Sequence, residues 1–250
     1  MKELTRSAIT AARDGLPSRT KHTLARAARF LGHDEFPSIE ASLAVLRQKG
    51  YRSHFALDGG AYVGRWTDMF RTIFPESKIL MVEPQASKQS VLAAKVDRNT
   101  RLSDALLGPE DGAEVPFYEM ETGSSVLQEL TSFPRRTVIK RLTTLDRLLG
   151  QVAQDWEKPD FLKLDVQGYE LDVLAGGADA LANAQIVLLE VAVTPYNEGA
   201  PLLPDVLRFM WEHEFDVMDF CSQIRRADGV LNQTDLLFAA RRTAEELGLR

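Results

Sequence analysis

The stretch FLKLDVQGYELDVLAGG, residues 161–177, combines a short strand, an acidic turn and a helix. Residues 161–164 are mostly apolar, which is typical of a parallel strand that helices cover on both faces. Asp165 follows at once, and a helix is predicted at 170–175, ended by the two glycines at 176–177. A buried strand followed directly by a helix is the repeating unit of a parallel α/β sheet.

The same alternation continues on both sides of this stretch. Strands are predicted at 53–57, 78–82, 100–107, 186–191, 215–220 and 235–240, and helices at 65–74, 88–98 and 203–212. Crossover units of this kind predict an α/β fold with a mostly parallel, Rossmann-like sheet and helices on both faces. Ligands of such sheets bind beyond the carboxyl ends of the strands, so the residues that follow each strand are the candidates for a site.

The chain is predicted to have two parts. Residues 51–250 form the α/β domain, and residues 1–50 form an N-terminal helical extension. In the extension, Ser38 is expected to cap an amphipathic helix and Gly50 is expected to end it.

Composition narrows the class of protein. The chain has 250 residues, 44% of them hydrophobic, which suffices for one sizeable core. Its net charge of -6 argues against a nucleic-acid partner, because no positive excess is available for phosphates. The single cysteine, Cys221, provides neither an internal disulfide nor a zinc cluster. No apolar run is long enough for a membrane span, and a cytoplasmic location is expected.

A glycine-rich turn, DGGAYVG at 58–64, follows the first of these strands. Its glycines permit a close backbone approach to a ligand, as nucleotide-binding and adenosylmethionine-binding loops both require. Asp58 favours the second, because a carboxylate here would repel a diphosphate but attract the ammonium and sulfonium of S-adenosylmethionine, directly or through water. The alternative is that Asp58 only caps the next helix. The residues of this turn predicted to bind the cofactor are Asp58, Gly59, Gly60, Ala61, Tyr62 and Gly64.

Acidic residues also follow the second and third strands. Glu83, with Pro84 after it, is placed to bind the two hydroxyls of a ribose, or it is an ordinary surface acid. Asp104, with Ala105 after it, is placed to bind an adenine amino group, or it only ends the strand. Both pairs are therefore candidates for cofactor binding.

Two further carboxylates follow the central strands. Asp165 and Val166 come after strand 161–164, where methyl donor and methyl acceptor are expected to meet, and Glu190 ends strand 186–191. Asp165 and Val166 are therefore also predicted to contact the cofactor. Asp165 is the first candidate for a general base and Glu190 the second, and the two acids could share a divalent cation such as Mg²⁺. The alternative is that either acid caps a helix or pairs with a basic residue.

The methyl acceptor is expected to meet residues beyond these strands. The candidates are Gln167, Tyr196, Asn197 and Arg225. Arg225 belongs to a basic pair that would bind a carboxylate or phosphate, or would only form a solvated turn. Segment 107–143 is predicted to be a lid or binding loop because of its length. His22 and His33 stay candidates for the base, should the N-terminal segment fold over the cleft.

Five segments carry a family resemblance: LDGGAYVG (57–64), MVEPQ (81–85), TTLDRLL (143–149), FLKLDVQGYELDVLAGG (161–177) and LLEVAVTPYNEGAPL (188–202). In this combination the chain resembles the FkbM-type methyltransferases. The resemblance implies a seven-stranded sheet whose last strand is antiparallel and the use of S-adenosylmethionine. It also implies methylation, mostly of hydroxyl oxygens on sugars, glycolipids and polyketide-type products.

The resemblance also assigns roles to residues. It implies that Asp58, Gly60 and Gly64 belong to the cofactor loop. Glu83 matches the acid that binds the ribose, and Asp165 matches the acid after the fourth strand. The chain departs from the family at three positions, since the family often has Val, Asn and Glu where this chain has Gly59, Tyr62 and Gln167. The last departure removes a carboxylate, so Gln167 is not assigned a role as base or metal ligand.

The sequence therefore predicts an S-adenosylmethionine-dependent methyltransferase that acts on a hydroxyl of a small molecule or glycoside. N- or carboxyl-methylation is the first alternative. A nicotinamide-dependent oxidoreductase, which Asp58 disfavours, and a non-catalytic adenosylmethionine-binding domain are the others. The sequence leaves open whether a divalent cation is needed and whether the protein is a homodimer.

Overall fold

The computed structural model describes residues 38–121 and 123–250. The strands are β1 (Phe55–Gly59), β2 (Lys78–Val82), β3 (Thr100–Ser103), β4 (Leu106–Leu107), β5 (Glu114–Glu119), β6 (Arg136–Thr143), β7 (Phe161–Leu164), β8 (Ile186–Ala192), β9 (Phe215–Phe220), β10 (Ile224–Arg225) and β11 (Leu231–Ala240). The helices are α1 (Ile39–Gln48), α2 (Arg65–Ile73), α3 (Ala86–Ala93), α4 (Leu145–Val152), α5 (Glu170–Ala175), α6 (Ala178–Asn183), α7 (Leu203–Glu212) and α8 (Arg241–Glu246).

The main sheet has the strand order β3-β2-β1-β7-β8-β11, and β9 and β10 both pair with β11. The first five of these strands are parallel, and β11 runs antiparallel to β8. The predicted mostly parallel sheet with an antiparallel last strand is thereby confirmed. The sheet has eight strands rather than seven, because β10 adds a two-residue strand beside the beginning of β11.

The strand order reverses between β1 and β7, which are neighbours in the sheet. In their register Asp58 lies opposite Lys163, and Gly59 lies opposite Leu164. The glycine-rich turn after β1 and Asp165 after β7 therefore meet at the switch point, where open α/β sheets bind their ligands.

Each face of the sheet is buried under its own set of helices. Leu57, Leu164 and Leu189 belong to the core on one face, together with side chains of α4, α5, α6 and α7. Ala56, Phe161 and Leu188 belong to the core on the other face, together with side chains of α1, α2 and α8. Adjacent residues of a strand point to opposite faces, which is why these strands are apolar throughout.

Helix α1 forms as its sequence predicts. The Ser38 hydroxyl oxygen accepts a hydrogen bond from the Ala41 amide at 3.2 Å, and Gly50 follows the helix at a φ of +106°. Leu43 and Leu46 of α1 are fully buried in the core, so this helix belongs to the same compact unit as the sheet. The candidate bases His22 and His33 lie outside the described residues.

The segment between the third and fourth main strands is more ordered than the loop that its length predicts. The strand expected at 100–107 is divided at Asp104 and Ala105, and its second part, β4, pairs with β6 instead of extending β3. β5 and β6 form an antiparallel hairpin, which gives a second sheet of order β4-β6-β5. No helix among the described residues is long and apolar enough to cross a membrane.

Candidate active site

The turn after β1 is held against β2 and β7 by its backbone. The amides of Gly60 and Ala61 both donate to the Val82 carbonyl, at 2.9 and 3.1 Å. Gly60 has a φ of +74°, and a Cβ built on it would lie 1.9 Å from the Asp165 carbonyl oxygen. Only glycine fits between the two strand ends, which is the physical reason for a glycine at this position.

The Asp58 side chain lines neither of the two cavities described below, although the sequence predicts that it contacts the cofactor. Its side chain is fully buried, its Oδ1 lies 3.0 Å from the Lys163 Nζ, and its Oδ2 accepts a hydrogen bond from the Thr67 hydroxyl at 2.6 Å. The lysine also donates to the Gly60 carbonyl at 2.9 Å. Asp58 thus neutralises a buried lysine that ties β7 to the glycine turn, and its expected direct contact with a cofactor is corrected accordingly.

Glu83 lies at the end of β2 and borders a cavity. Its side chain is buried, with Oε2 accepting from the Tyr62 amide at 2.8 Å and Oε1 accepting from the Gln85 amide at 2.9 Å. Burial raises the pKa of the carboxyl above its ordinary value, although these two hydrogen bonds oppose that effect. Each oxygen keeps a lone pair, so the carboxylate is able to accept further hydrogen bonds from a ligand.

The first cavity extends from Glu83 to the second sheet and has a volume of about 820 Å³, open solvent at its mouth included. Its walls combine residues from the ends of β2, β3 and β7 with the segment after β5: Gly60, Tyr62, Val82, Glu83, Pro84, Gln85, Ala105, Leu106, Leu107, Phe117, Gly123, Ser124, Ser125, Val126, Asp165, Val166, Gln167 and Tyr169. Asp104, the predicted partner of an adenine amino group, is exposed and does not line this cavity, whereas its neighbour Ala105 does.

A second cavity lies over β7, β8 and β11. Its charged lining is formed by Arg65, Lys163, Asp165, Glu190 and Asp235, and its apolar lining includes Trp66. Glu190 and Asp235 are direct cross-strand partners. Both cavities are lined by Gly60, Tyr62 and Asp165, so the two spaces meet at the carboxyl ends of β1 and β7.

Gln167 joins the two candidate bases. Its Nε2 donates to the Asp165 Oδ1 at 2.9 Å and also to the Glu190 Oε2. The backbone of Gln167 adopts the left-handed region at a φ of +58°, which is uncommon for a residue with a side chain and fixes the direction of the amide. Burial, followed by the charge of Asp165, raises the pKa of Glu190 well above its ordinary value.

The described residues offer no support for a divalent cation. They contain no group of three or more His, Cys, Asp or Glu side chains with the geometry of a metal site. Asp165 and Glu190 are bridged by an amide donor, Gln167, rather than oriented toward a shared cation.

The four residues predicted to contact the methyl acceptor do not lie together in the structure. Gln167 lines the first cavity. Asn197 is buried and donates to the Leu127 carbonyl at 3.3 Å, and half-buried Tyr196 lies beside it; neither lines a cavity. Arg225 is exposed and donates to the Gly229 carbonyl within its own turn at 3.0 Å, while its neighbour Ile224 lines the second cavity.

Of the other residues predicted to bind the cofactor, some line a cavity and some do not. Ala61 lines the second cavity, whereas Pro84 and Val166 line the first. Gly59 and Gly64 line neither cavity, since Gly59 packs on Leu164 and Gly64 begins α2 at a φ of +73°.

Lys163, Asp235 and Trp66 are among the residues of the second cavity that the sequence analysis did not predict. Lys163 interrupts the apolar run of β7, and a lysine in a buried strand is a usable signal, because lysine is almost never fully buried without a partner. Asp235 gives the same signal in β11. No local sequence pattern separates an aromatic residue of the core from one that borders a cavity, as Trp66 does.

Three solved structures with a similar fold are distant from this chain in sequence. One is the methyltransferase FkbM from Methylobacillus flagellatus KT, with 14% identity, a TM-score of 0.49, and coverage of 78% of this chain and 47% of that chain. The chain therefore spans about half the length of that relative. Another is the magnesium protoporphyrin IX methyltransferase from Synechocystis PCC 6803 with bound SAM, with 11% identity, a TM-score of 0.45, and coverage of 92% and 95%.

A third is the 1,6-didemethyltoxoflavin-N1-methyltransferase from Burkholderia thailandensis with bound S-adenosylhomocysteine, with 13% identity, a TM-score of 0.44, and coverage of 93% and 89%. Comparison with curated proteins finds no match. The family model described as the methyltransferase FkbM domain matches residues 58–217, which is well over half of the chain. This match includes the glycine-rich turn, Glu83, and the segment that carries Asp165 and Gln167, and it shows that the chain belongs to the FkbM methyltransferase family.

Proposed function

We propose that this protein is an S-adenosylmethionine-dependent methyltransferase that methylates a hydroxyl group of a sugar, glycolipid or polyketide-type product. The observation that carries the proposal is the junction of two cavities at Gly60, Tyr62 and Asp165. Glu83 borders the first cavity, and Glu190 and Asp235 border the second. A ligand with a nucleoside at one end and a cationic amino acid at the other matches this pair.

The residues of the first cavity fit the nucleoside. The Glu83 carboxylate has lone pairs for two ribose hydroxyls, and the apolar side chains of Pro84, Val166 and Tyr169 offer walls for an adenine ring. Gly60 and Ala61 bring backbone close to the junction without a bulky side chain. Bound there, S-adenosylmethionine supplies an electrophilic methyl group on a sulfonium.

The second cavity suits a positive charge. The wall holds three carboxylates, Asp165, Glu190 and Asp235, and two cations. Of the two cations, Arg65 is exposed and Lys163 is already paired with Asp58. A buried acidic wall stabilises an ammonium and a sulfonium and repels a diphosphate. The proposed preference for a positively charged cofactor over a diphosphate, first inferred from Asp58, therefore rests on these three carboxylates.

Asp165 is the proposed base. Its side chain is 39% exposed and lies at the junction of the cavities, so a hydroxyl of the methyl acceptor is able to approach it. As the hydroxyl oxygen forms its new bond, Asp165 accepts the hydroxyl proton. Gln167 holds Asp165 and Glu190 at a fixed separation, and Glu190 provides a second carboxylate for that proton.

Titration calorimetry on the full chain tests the cofactor. We expect S-adenosylhomocysteine to bind and NADH to give no heat, because the acidic wall disfavours a diphosphate. Tight NADH binding without S-adenosylhomocysteine binding would contradict the proposal and favour an oxidoreductase. Transfer of a labelled methyl group to methyl glucoside tests the chemistry, since this acceptor offers only hydroxyl groups and its methylated product is an alkali-stable methyl ether.

A further inference from the structure

Arg65 is a cation of the second cavity that the proposed reaction does not use. It is the first residue of α2, its side chain is exposed, and it lines the cavity. No described residue forms a hydrogen bond or an ion pair with its guanidinium, and Asp68, one turn further along α2, is paired with Lys95 at 2.5 Å. The helix dipole disfavours a positive charge in the first turn, so the stability of α2 does not explain this arginine.

Two carboxylates of the same cavity also lack a cation. Glu190 and Asp235 line it as direct cross-strand partners on β8 and β11. Within the described part of the chain neither of them forms an ion pair, since Glu190 accepts a hydrogen bond from Gln167 and Asp235 is hydrogen-bonded to Ser222. Positive and negative side chains therefore border one space without neutralising each other.

Unpaired charges of both signs favour a ligand that carries both signs itself. An anion alone would be repelled by the carboxylates, and a cation alone would be repelled by Arg65. A zwitterion is able to place each of its charges beside the opposite one. The amino-acid end of S-adenosylmethionine is such a group, because its ammonium and its carboxylate are bonded to the same carbon atom.

We propose that Arg65 binds the carboxylate of this amino-acid end while Asp235 binds its ammonium. The guanidinium suits a carboxylate, because it presents two parallel N–H groups to the two oxygens. Burial raises the pKa of both Glu190 and Asp235, but the hydrogen bond with Ser222 opposes the rise in the pKa of Asp235 and favours its charged form. The inference rests on the proposed function, since it assigns the second cavity to the cofactor.

The arginine then decides which adenosine thioethers the protein accepts. A nucleoside that has the ammonium but no carboxylate loses the contact with Arg65 and keeps the contact with Asp235. Without Arg65, the carboxylate of the cofactor would face the acidic side chains of the cavity without a free cation and would be repelled. Removal of Arg65 should therefore affect ligands with and without the carboxylate differently.

Two arginine variants test this assignment. Arg65→Gln removes the charge and keeps a polar side chain. Arg242→Gln is its matched control, because Arg242 is also exposed in the first turn of a helix, α8, but lines neither the first nor the second cavity. The two variants change the net charge equally, so a difference between them reports the position of Arg65. Asp235→Asn tests the partner of the ammonium.

The probes are S-adenosylhomocysteine and its decarboxylated analogue, in which a hydrogen atom replaces the carboxylate, measured by titration calorimetry on the full chain. We expect the unaltered protein and Arg242→Gln to bind S-adenosylhomocysteine about tenfold more tightly than the analogue, corresponding to one charge-assisted interaction. Arg65→Gln should bind the two probes equally or prefer the analogue. Asp235→Asn should weaken the binding of both probes by the same factor, since both carry the ammonium.

An equal loss of affinity for both probes in Arg65→Gln would overturn the inference, because it would show an effect on the protein rather than on the carboxylate. An unaltered protein that does not distinguish the probes, or an Arg65→Gln variant that still prefers S-adenosylhomocysteine tenfold, would overturn it too. Unchanged affinity in Asp235→Asn would contradict the role given to Asp235. We expect Arg65→Gln to unfold at the midpoint of the unaltered protein, because its side chain has no partner among the described residues. Absent binding of both probes to the unaltered protein would instead refute the proposed function.

Discussion

The Lys163 ammonium lies 3.0 Å from the Asp58 carboxylate, and the two side chains are 8% and 0% exposed. The pair joins two adjacent parallel strands at the point where the strand order reverses. Because Lys163 also donates to the Gly59 and Gly60 carbonyls, at 3.2 and 2.9 Å, the pair fixes the backbone of the glycine turn. The glycine-rich turn is thus organised by a buried charge pair beneath it.

Breaking this pair should strongly destabilise the protein. Lys163→Met leaves the Asp58 carboxylate buried without its cation, a change that costs about 3–5 kcal/mol in buried pairs. Denaturant unfolding measures the loss, and the double variant with Asp58→Asn should lose less than the sum of the single variants. Lys158→Met is the control, because its partner Asp179 is exposed and such pairs contribute under about 1 kcal/mol. Similar losses from the two lysine variants would contradict the role given to Lys163.

Gly60 should tolerate no side chain. Gly60→Ala places a Cβ 1.9 Å from the Asp165 carbonyl oxygen, so it must separate the ends of β1 and β7. Gly199→Ala is a matched control, with a φ of +73° against +74° for Gly60 and nothing within 4 Å of the added Cβ. We expect the control to cost about 1–2 kcal/mol from backbone strain alone and Gly60→Ala to cost much more and to abolish S-adenosylhomocysteine binding. Equal unfolding midpoints for the two variants would show that the close approach is unimportant.

Glu83 should govern cofactor affinity. Glu83→Gln weakens the hydrogen bonds that a carboxylate accepts from two ribose hydroxyls, so we expect S-adenosylhomocysteine to bind about 10- to 100-fold less tightly in calorimetry. Glu76→Gln serves as the control, since the Glu76 side chain is 71% exposed. Unchanged affinity in Glu83→Gln, at an unfolding midpoint that confirms the fold, would remove Glu83 from the site.

Glu170 should make stability depend on pH. Burial raises the pKa of its carboxyl from 4.5 to about 7, against the hydrogen bond that its Oε1 accepts from the Val166 amide at 2.9 Å. The folded protein therefore holds this proton more tightly than the unfolded chain, so the stability from this group is full below about pH 4.5 and falls as the pH rises to about 7. Above that pH its contribution is constant.

Comparison with Glu170→Gln isolates this effect. The free energy of unfolding of the unaltered protein should fall relative to that of the variant between pH 5 and 7, by at most ~3 kcal/mol, since a tenfold change in proton affinity corresponds to about 1.4 kcal/mol. Denaturant unfolding at several pH values measures the difference. Parallel pH curves for the two proteins would show that Glu170 does not titrate in this range.

Variants of Asp165 and Glu190 should affect the rate of methyl transfer separately from cofactor binding. We expect Asp165→Asn to lower the rate of methyl transfer by about 10²- to 10⁴-fold, as loss of a general base does. Glu190→Gln should have a smaller effect, because it leaves Asp165 in place as the base. Single-turnover transfer measures both, and S-adenosylhomocysteine affinity reports whether binding is retained. Full activity in Asp165→Asn would leave Glu190 as the base.

The local patterns of the sequence predict most of the fold. The alternation of apolar strands and helices and the Ser38 cap follow from interactions between near neighbours in the chain, so residue spacing alone predicts them. The acids at the strand ends are predictable for the same reason. The parallel sheet places them at one edge whatever the details of packing.

Long-range register decides what the individual side chains do. Asp58 ends a strand, as the sequence predicts, but the pairing of β1 with β7 brings Lys163 against it and withdraws it from the cavity. Glu190 lies 23 positions after Gln167 in the chain, and the pairing of β7 with β8 brings its carboxylate to the Gln167 amide. The sequence by itself determined the architecture and the edge of the sheet at which the two cavities lie, because these depend on local periodicity. Tertiary structure alone decided which carboxylates are neutralised and which remain available, because that depends on partners distant in the chain.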